Sequence, residues 1–438
     1  MTENEIPWSN CIAIGCDNAA VMTGARKGVY AFVKEKNPKI FLAGCNLHLA
    51  HLAAEKAAAV LPVSPAELLV DIFYYFSKSS LRQSNFIKFQ ELCSVDQKAM
   101  LKHVPTRWLS IERCLARLLE NWQPLKEFFR GETTGNNKSA YATGKVKTIS
   151  EALTSPSTRL YCHFLSYTTS IFQPFLVENQ CDAPQVHRLH QSMARLLRDV
   201  LTKFVSPSAM SNKLAYEVDF TLKYNLKSDK ELLIGDAARQ FIKNKSENGL
   251  KEHRIKEFYL NVVEYYKAAA SYLKNNLPFE SPVLQHMKIC SPSELPKDGV
   301  ISTSVPTLLE HFPCLLPAGA SKNALYDQLA DLQCTDLSEF SSVSRQDDFW
   351  AAVLAQHKER FGLACKFLLS LLTIPHSSAH CERVFSCIRK TKTVFRPSLK
   401  ENTLEALMVL KHRSGKAAYD SKTLQHLKGS TTRALAAE

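Results

Sequence analysis

Apolar and polar positions follow two different periods along this chain. Residues 11–16 (Cys-Ile-Ala-Ile-Gly-Cys) are an apolar run of strand length that ends at Asp17. A helical pattern follows, with Val29, Phe32 and Val33 on one face and a stop at Asn37-Pro38. Lys39 to Gly44 reads as a second buried strand. Strand, helix and strand in about 35 residues predict a βαβ unit, normally a right-handed parallel crossover.

After Cys45 the period becomes helical. His48 to Leu61 is Ala-rich, and Ser64-Pro65-Ala66-Glu67 is a capping box with Pro at the first helical position. Leu68, Leu69, Ile72, Phe73 and Phe76 then recur at helical spacing. Residues 109–129, 158–177, 185–204, 230–243 and 253–274 are amphipathic in the same way. Polar stretches at 131–149 and 205–213 predict surface loops, and the proline-rich span 276–306 predicts irregular chain. Near the end, 349–374 is a strongly apolar helical region broken at Ile374-Pro375. A further helix is expected from Ser377 or Ser378. Ser398-Leu399-Lys400-Glu401 is a second capping box, opening a helix with Leu404, Leu407 and Met408 on one face. Beyond Gly415 the chain is polar and small, and a frayed tail is expected. The resulting fold class is α/β plus all-α, one sheet domain split by a long helical insertion.

Composition narrows the partners. With 438 residues and 45% hydrophobic content the chain can bury a sizeable core. A net charge of +13 points to an anionic partner, nucleic acid first and an acidic membrane surface second, against the plainer reading of a soluble basic surface. The thirteen cysteines form no regular framework. Without a signal-like start or an apolar run of membrane-spanning length, reduced thiols in the nucleus or cytosol are expected.

Two carboxylates stand out. Asp17 lies just past the carboxyl end of the first predicted strand, where α/β sheets place functional groups; it could equally cap the turn into the helix. Glu382 falls in the first turn of its helix, where the dipole favours a carboxylate whether or not it has a function. Cys45, His48 and His51 share one helix but supply too few ligands for a tetrahedral zinc, so no metal is expected there. From Arg383 to Arg413 eight basic residues face two acidic ones. That run, with Arg383, Arg389, Lys390, Lys392 and Arg396 at its start, suits either a phosphate-facing surface or a solvated helix face.

The order Cys16-Asp17-Asn18-Ala19, Cys45-Asn46-Leu47-His48, Pro105-Thr106-Arg107-Trp108, Asp348-Phe349-Trp350 and Ser377 to Ser386 resembles the hAT superfamily of DNA transposases. The resemblance implies a ribonuclease-H-like core interrupted by a helical insertion, with a dimerisation region at the C-terminal end. The domains expected from it are 1–48 for the first part of the core and 49–345 for the insertion. They continue with 346–414 for the rest of the core and the dimerisation region, and 415–438 for the tail. Position by position, Asp17 resembles the second catalytic Asp and Glu382 the catalytic Glu. Cys45 and His48 resemble the Cys-x-x-His motif, and Arg107 with Trp108 resembles the pair whose Trp stacks on an extruded base. An indole replaces lost base stacking and a guanidinium binds phosphate, which makes that role physically sensible. Without the resemblance Trp108 reads equally as a packed core residue.

The chain departs from the family before Asp17, where the only acidic residues are Glu3 and Glu5. Two-metal phosphodiester chemistry in this family needs a third carboxylate from a preceding strand hairpin. Three readings follow. The leading one is a transposase-derived nuclear protein without catalysis, retaining dimerisation, homo- or hetero-oligomeric, and some nucleic-acid affinity. The second is an active enzyme, using Mg²⁺ and an Asp supplied by a longer form or a partner. The third is a protein-interaction scaffold. The leading reading implies no cofactor and no membrane, with Leu404, Leu407 and Met408 at a subunit interface or closing the core.

Overall fold

A computed structural model describes residues 7–104, 109–134, 144–392 and 398–413. The predicted βαβ unit is present. Strand β1 (Ala13–Cys16) runs into a one-turn helix α1 (Ala20–Thr23) and the crossover helix α2 (Val29–Lys36), then strand β2 (Phe41–Gly44). The strands are parallel, with Ala13 opposite Phe41 and Gly15 opposite Ala43. Because side chains alternate along a strand, these four residues share one face. There the Phe41 ring meets the edge of Phe312, with centroids 6.4 Å apart, and Gly15 faces Pro375. At the base of the crossover, Asn37 Nδ2 donates to the carbonyls of Trp8 and Cys11. Among the described residues the sheet has these two strands only, so they hold one parallel pair rather than a full ribonuclease-H-like core.

Helices build the remainder: α3 (Asn46–Ala58), α4 (Pro65–Ser77), α5 (Ser80–Leu92), α6 (Ile111–Glu120), α7 (Trp122–Thr134), α8 (Lys145–Thr154), α9 (Pro156–Asn179) and α10 (Val186–Leu201). They continue with α11 (Pro207–Met210), α12 (Asp236–Lys243), α13 (Glu252–Asn276), α14 (Pro282–His286), α15 (Val300–His311), α16 (Lys322–Cys334), α17 (Gln346–Gln356) and α18 (Lys358–Leu372). Last come α19 (Ala379–Thr391) and α20 (Glu401–Arg413). None is long and apolar enough to cross a membrane.

The predicted Ser64 cap forms, its Oγ accepting from Glu67 N, and at the start of α9 Ser155 Oγ likewise accepts from Thr158 N. Three sequence expectations are corrected. The 131–149 stretch is helical at both ends, since α7 reaches Thr134 and α8 starts at Lys145. The proline-rich span carries helices because Pro282 sits at a first helical position behind a Ser281 cap, where a missing N–H costs nothing. The helix expected over 230–243 starts only at Asp236, because Gly235 takes a φ of +84°.

Long helices α9 and α13 supply the core, with Phe164, Phe172, Phe258, Tyr265 and Tyr266 fully buried. Each buried tyrosine hydroxyl has a partner: Tyr265 Oη donates to Thr168 Oγ1 at 2.9 Å and Tyr266 Oη to the Leu233 carbonyl at 2.6 Å. Helix α3 packs on α13, with Ala50, Ala53, Ala54 and Ala57 buried on one side and Ala269 and Ala270 on the other. Small residues let two backbones come close. Trp350 is buried and its Nε1 donates to the Cys290 carbonyl at 2.7 Å, pinning α17 to the 287–290 turn. By compactness the chain divides into two units, Met1–Ser377 and Ser378–Glu438.

Candidate functional site

In the first unit, the carboxyl ends of β1 and β2 gather Cys16, Asp17, Asn18 and Cys45. Asn18 ties the two strand ends together: its Nδ2 donates to the Cys45 carbonyl at 2.9 Å, and its Oδ1 lies where a Cβ on Gly44 would sit, only 2.5 Å away. Gly44 is glycine for that reason. Asp17 is exposed beside this clamp, and its Oδ1 accepts from Ala19 N at 3.3 Å. That bond is an Asx-type turn, and the N-cap of α1 is Ala19, so Asp17 shapes the turn without capping the helix. Burial together with the neighbouring Asp17 and Cys45 pushes the Cys16 thiol up. The thiol is thereby kept protonated and poor as a nucleophile.

Cys45 is buried as the N-cap residue of α3, and His48 lies half-buried in its first turn. One turn further on, His51 Nδ1 accepts from the Leu109 backbone N–H at 3.3 Å. His51 Nδ1 therefore helps hold the chain at Leu109. Among the described residues no three His, Cys, Asp or Glu side chains come together in a metal-ligating group. Arg107 and Trp108 lie outside the described residues; their described neighbour Leu109 is the one bound to α3. Nothing in the sequence pattern announced that His51 contact, because it joins residues 58 positions apart.

The last residues of the first unit are tied back onto it. Ser377 Oγ donates to the Asn179 carbonyl at 3.0 Å, and a Cβ on Gly15 would stand 2.6 Å from Pro375 Cγ. Beside it His187, buried on α10, has its basicity pushed down to about 4 by burial and by the nearby Arg188 and His376.

In the second unit, α19 opens after Ser378 and carries Glu382 exposed in its first turn. Arg383 is exposed next to it, and Arg389 and Lys390 occupy the last turn, where positive charge complements the helix dipole. Arg389, Lys390 and Lys392 are exposed and make no ion pair among the described residues. Arg396 lies outside the described residues. Helix α20 packs on α19, with Met408 buried and Leu404 and Leu407 half-buried. The apolar side chains this unit leaves in solvent are different ones: Phe385 at 63% exposure, with Val409 and Leu410. Phe385 sits inside the quoted Ser377–Ser386 motif, but its outward direction depends on how α19 packs.

Residues 333–414 match the family model described as the hAT family C-terminal dimerisation region. The match begins at the end of α16 and runs through α17, α18, α19 and α20. Over that stretch the chain is similar to the hAT dimerisation region, and the match supports the resemblance to hAT transposases that the motifs carry.

Proposed function

We propose that this chain is a nuclear, dimerising protein derived from a hAT transposase, which binds nucleic acid through the basic face of α19 and does not itself cleave DNA. The observation that carries the reading is the dimerisation-region match over 333–414, which contains the exposed Phe385, Val409 and Leu410. Apolar groups of that size standing in water favour a partner that covers them. Arg389, Lys390 and Lys392, without an ion pair among the described residues, supply the phosphate-facing charge in the same region. The parallel β1–β2 pair with Asp17 at its carboxyl end is, on this reading, what this chain carries of a ribonuclease-H-like sheet. Arg107 and Trp108 contribute to strand contact in the proposal, and Cys45 and His48 serve the strand–helix junction.

The test separates the parts. Light scattering on the purified chain is expected to give a dimer mass, and Phe385→Asp with Val409→Asp a monomer of unchanged helicity. A wild-type monomer at tens of micromolar concentration overturns the dimer reading. Supercoiled plasmid with Mg²⁺ or Mn²⁺ is expected to stay uncut. Nicking that disappears in Asp17→Ala and in Glu382→Ala would establish the enzyme reading in its place.

A further inference from the structure

The first turns of α9 and α13, with the chain between α3 and α4, line an open cleft of about 360 Å³, within the about 300–1,000 Å³ of small-molecule sites. Helix α9 meets it behind the Ser155 cap, and α13 meets it at Lys251, His253 and Arg254. The first N–H groups of a helix form its positive pole. In α9 the cap engages one of them, since Ser155 Oγ accepts from Thr158 N. In α13 the N-cap is Lys251, which offers no side-chain acceptor. The N–H groups of Glu252 and His253 consequently meet no acceptor among the described residues.

Side chains add charge of the same sign. Lys251 is exposed and makes no ion pair among the described residues. Glu257 is the one carboxylate among the described residues of the lining, and Arg254 Nη1 holds it at 2.8 Å. That pair is exposed and therefore weak, so the guanidinium is open to a more highly charged acceptor. Tyr161 is the buried member of the lining, only 3% exposed, and its Oη accepts from Asn261 Nδ2 at 2.7 Å. Its O–H has no acceptor among the described residues. Burial pushes the Tyr161 pKa up, so the phenol remains a donor at neutral pH. The cleft thus combines cations and donors from two helices with a single engaged carboxylate. Its complement is a compact group with several acceptor oxygens and more than one negative charge.

We propose that this cleft binds a phosphate monoester, its doubly charged phosphate held by Lys251, Arg254 and the first turn of α13 and its organic part lying against Leu160. The monoester belongs either to a small metabolite or to the 5′ end of a nucleic-acid strand. The site lies within the first unit and does not rest on the nucleic-acid reading of α19.

The experiment titrates the full chain with ribose 5-phosphate and with ribose, at about 0.15 M salt so that diffuse attraction is screened. Ribose 5-phosphate is expected to saturate with a Kd at or below about 1 mM, and ribose to show no binding. Lys251→Asp sets a carboxylate at the N-cap of α13, where it caps the helix and repels the ligand. It is expected to weaken ribose 5-phosphate about tenfold or more, with a melting temperature unchanged or raised. Should it lose melting temperature, Lys251→Ala serves instead, with the same direction expected. Lys256→Asp, exposed on the same helix but outside the lining, makes the same charge change and is expected to leave the Kd within about twofold. An oligothymidine that binds more tightly with a 5′ phosphate than with a 5′ hydroxyl, and loses that advantage in the Lys251 variant, assigns the monoester to a strand end; equal binding assigns it to a metabolite. Failure of ribose 5-phosphate to saturate by about 10 mM, binding that survives the Lys251 variant, or an equal loss in Lys256→Asp each overturns the site.

Discussion

Single side chains in this protein are governed by what burial does to their chemistry. His163 lies against the Phe241 ring near Arg159 and His187 beside Arg188 and His376; burial holds both near a pKa of about 4. Unfolded, each titrates near its ordinary 6.5. At neutral pH both states are uncharged and nothing is lost. As the pH falls below 6.5 the unfolded chain takes the proton first, so stability declines progressively until about pH 4. By about pH 5 the loss amounts to about 2 kcal/mol per histidine. Urea midpoints at about pH 7.5 and 5 should show it, and His187→Gln should flatten the difference; an equal pH dependence in the variant would remove His187 from the account. Trp350 follows a related rule, because its buried indole N–H needs the Cys290 carbonyl. The Asp348-Phe349-Trp350 motif thus has a packing role in this chain, with Asp348 on Arg345 at 3.3 Å and Phe349 edge-on to Trp350.

Among the elements, the helix boundaries are set by few residues. Gly235 ends one candidate helix and begins α12 because its φ of +84° is open to glycine alone, and a Cβ there would lie 2.6 Å from Tyr167 Cβ. Gly235→Ala is expected to cost about 2 kcal/mol or more, read as a lower urea midpoint with an unchanged slope. A neutral result would mean that the Tyr167 contact yields freely. Asn121 is the counterpart between α6 and α7: fully buried, it donates to the Arg117 carbonyl and accepts from Gln90. What reads in sequence as one amphipathic helix over 109–129 becomes two because this side chain bonds the backbone it interrupts.

For the whole molecule, the charge and the apolar face lie in the region that matches the dimerisation model. If α19 faces phosphate, removing cations from it must change how binding responds to salt. Each phosphate contact contributes about 0.7 to 0.9 to the logarithmic salt slope. The triple variant Arg389→Ala, Lys390→Ala, Lys392→Ala is therefore expected to lower that slope by about 2 to 3 for a DNA duplex. A slope identical to the wild type would place the binding surface elsewhere, with the scaffold reading as the beneficiary. The dimer prediction belongs to this scale too, because Phe385, Val409 and Leu410 are exposed apolar groups that a second copy would cover.

Periodicity alone located β1, β2, the crossover between them and most helices, because strand and helix periods and Ser caps are local properties of the chain. The spacing of Asp17, Cys45, His48, Arg107, Trp108 and Glu382 carried the family resemblance for the same reason. Tertiary structure decided what no local pattern contains. It set Gly15 against Pro375, gave Leu109 to His51, turned Phe385 outward while Met408 went in, and joined Gln90 to Asn121. Each of these depends on residues far apart in the chain, and their partnership is fixed only when the helices pack.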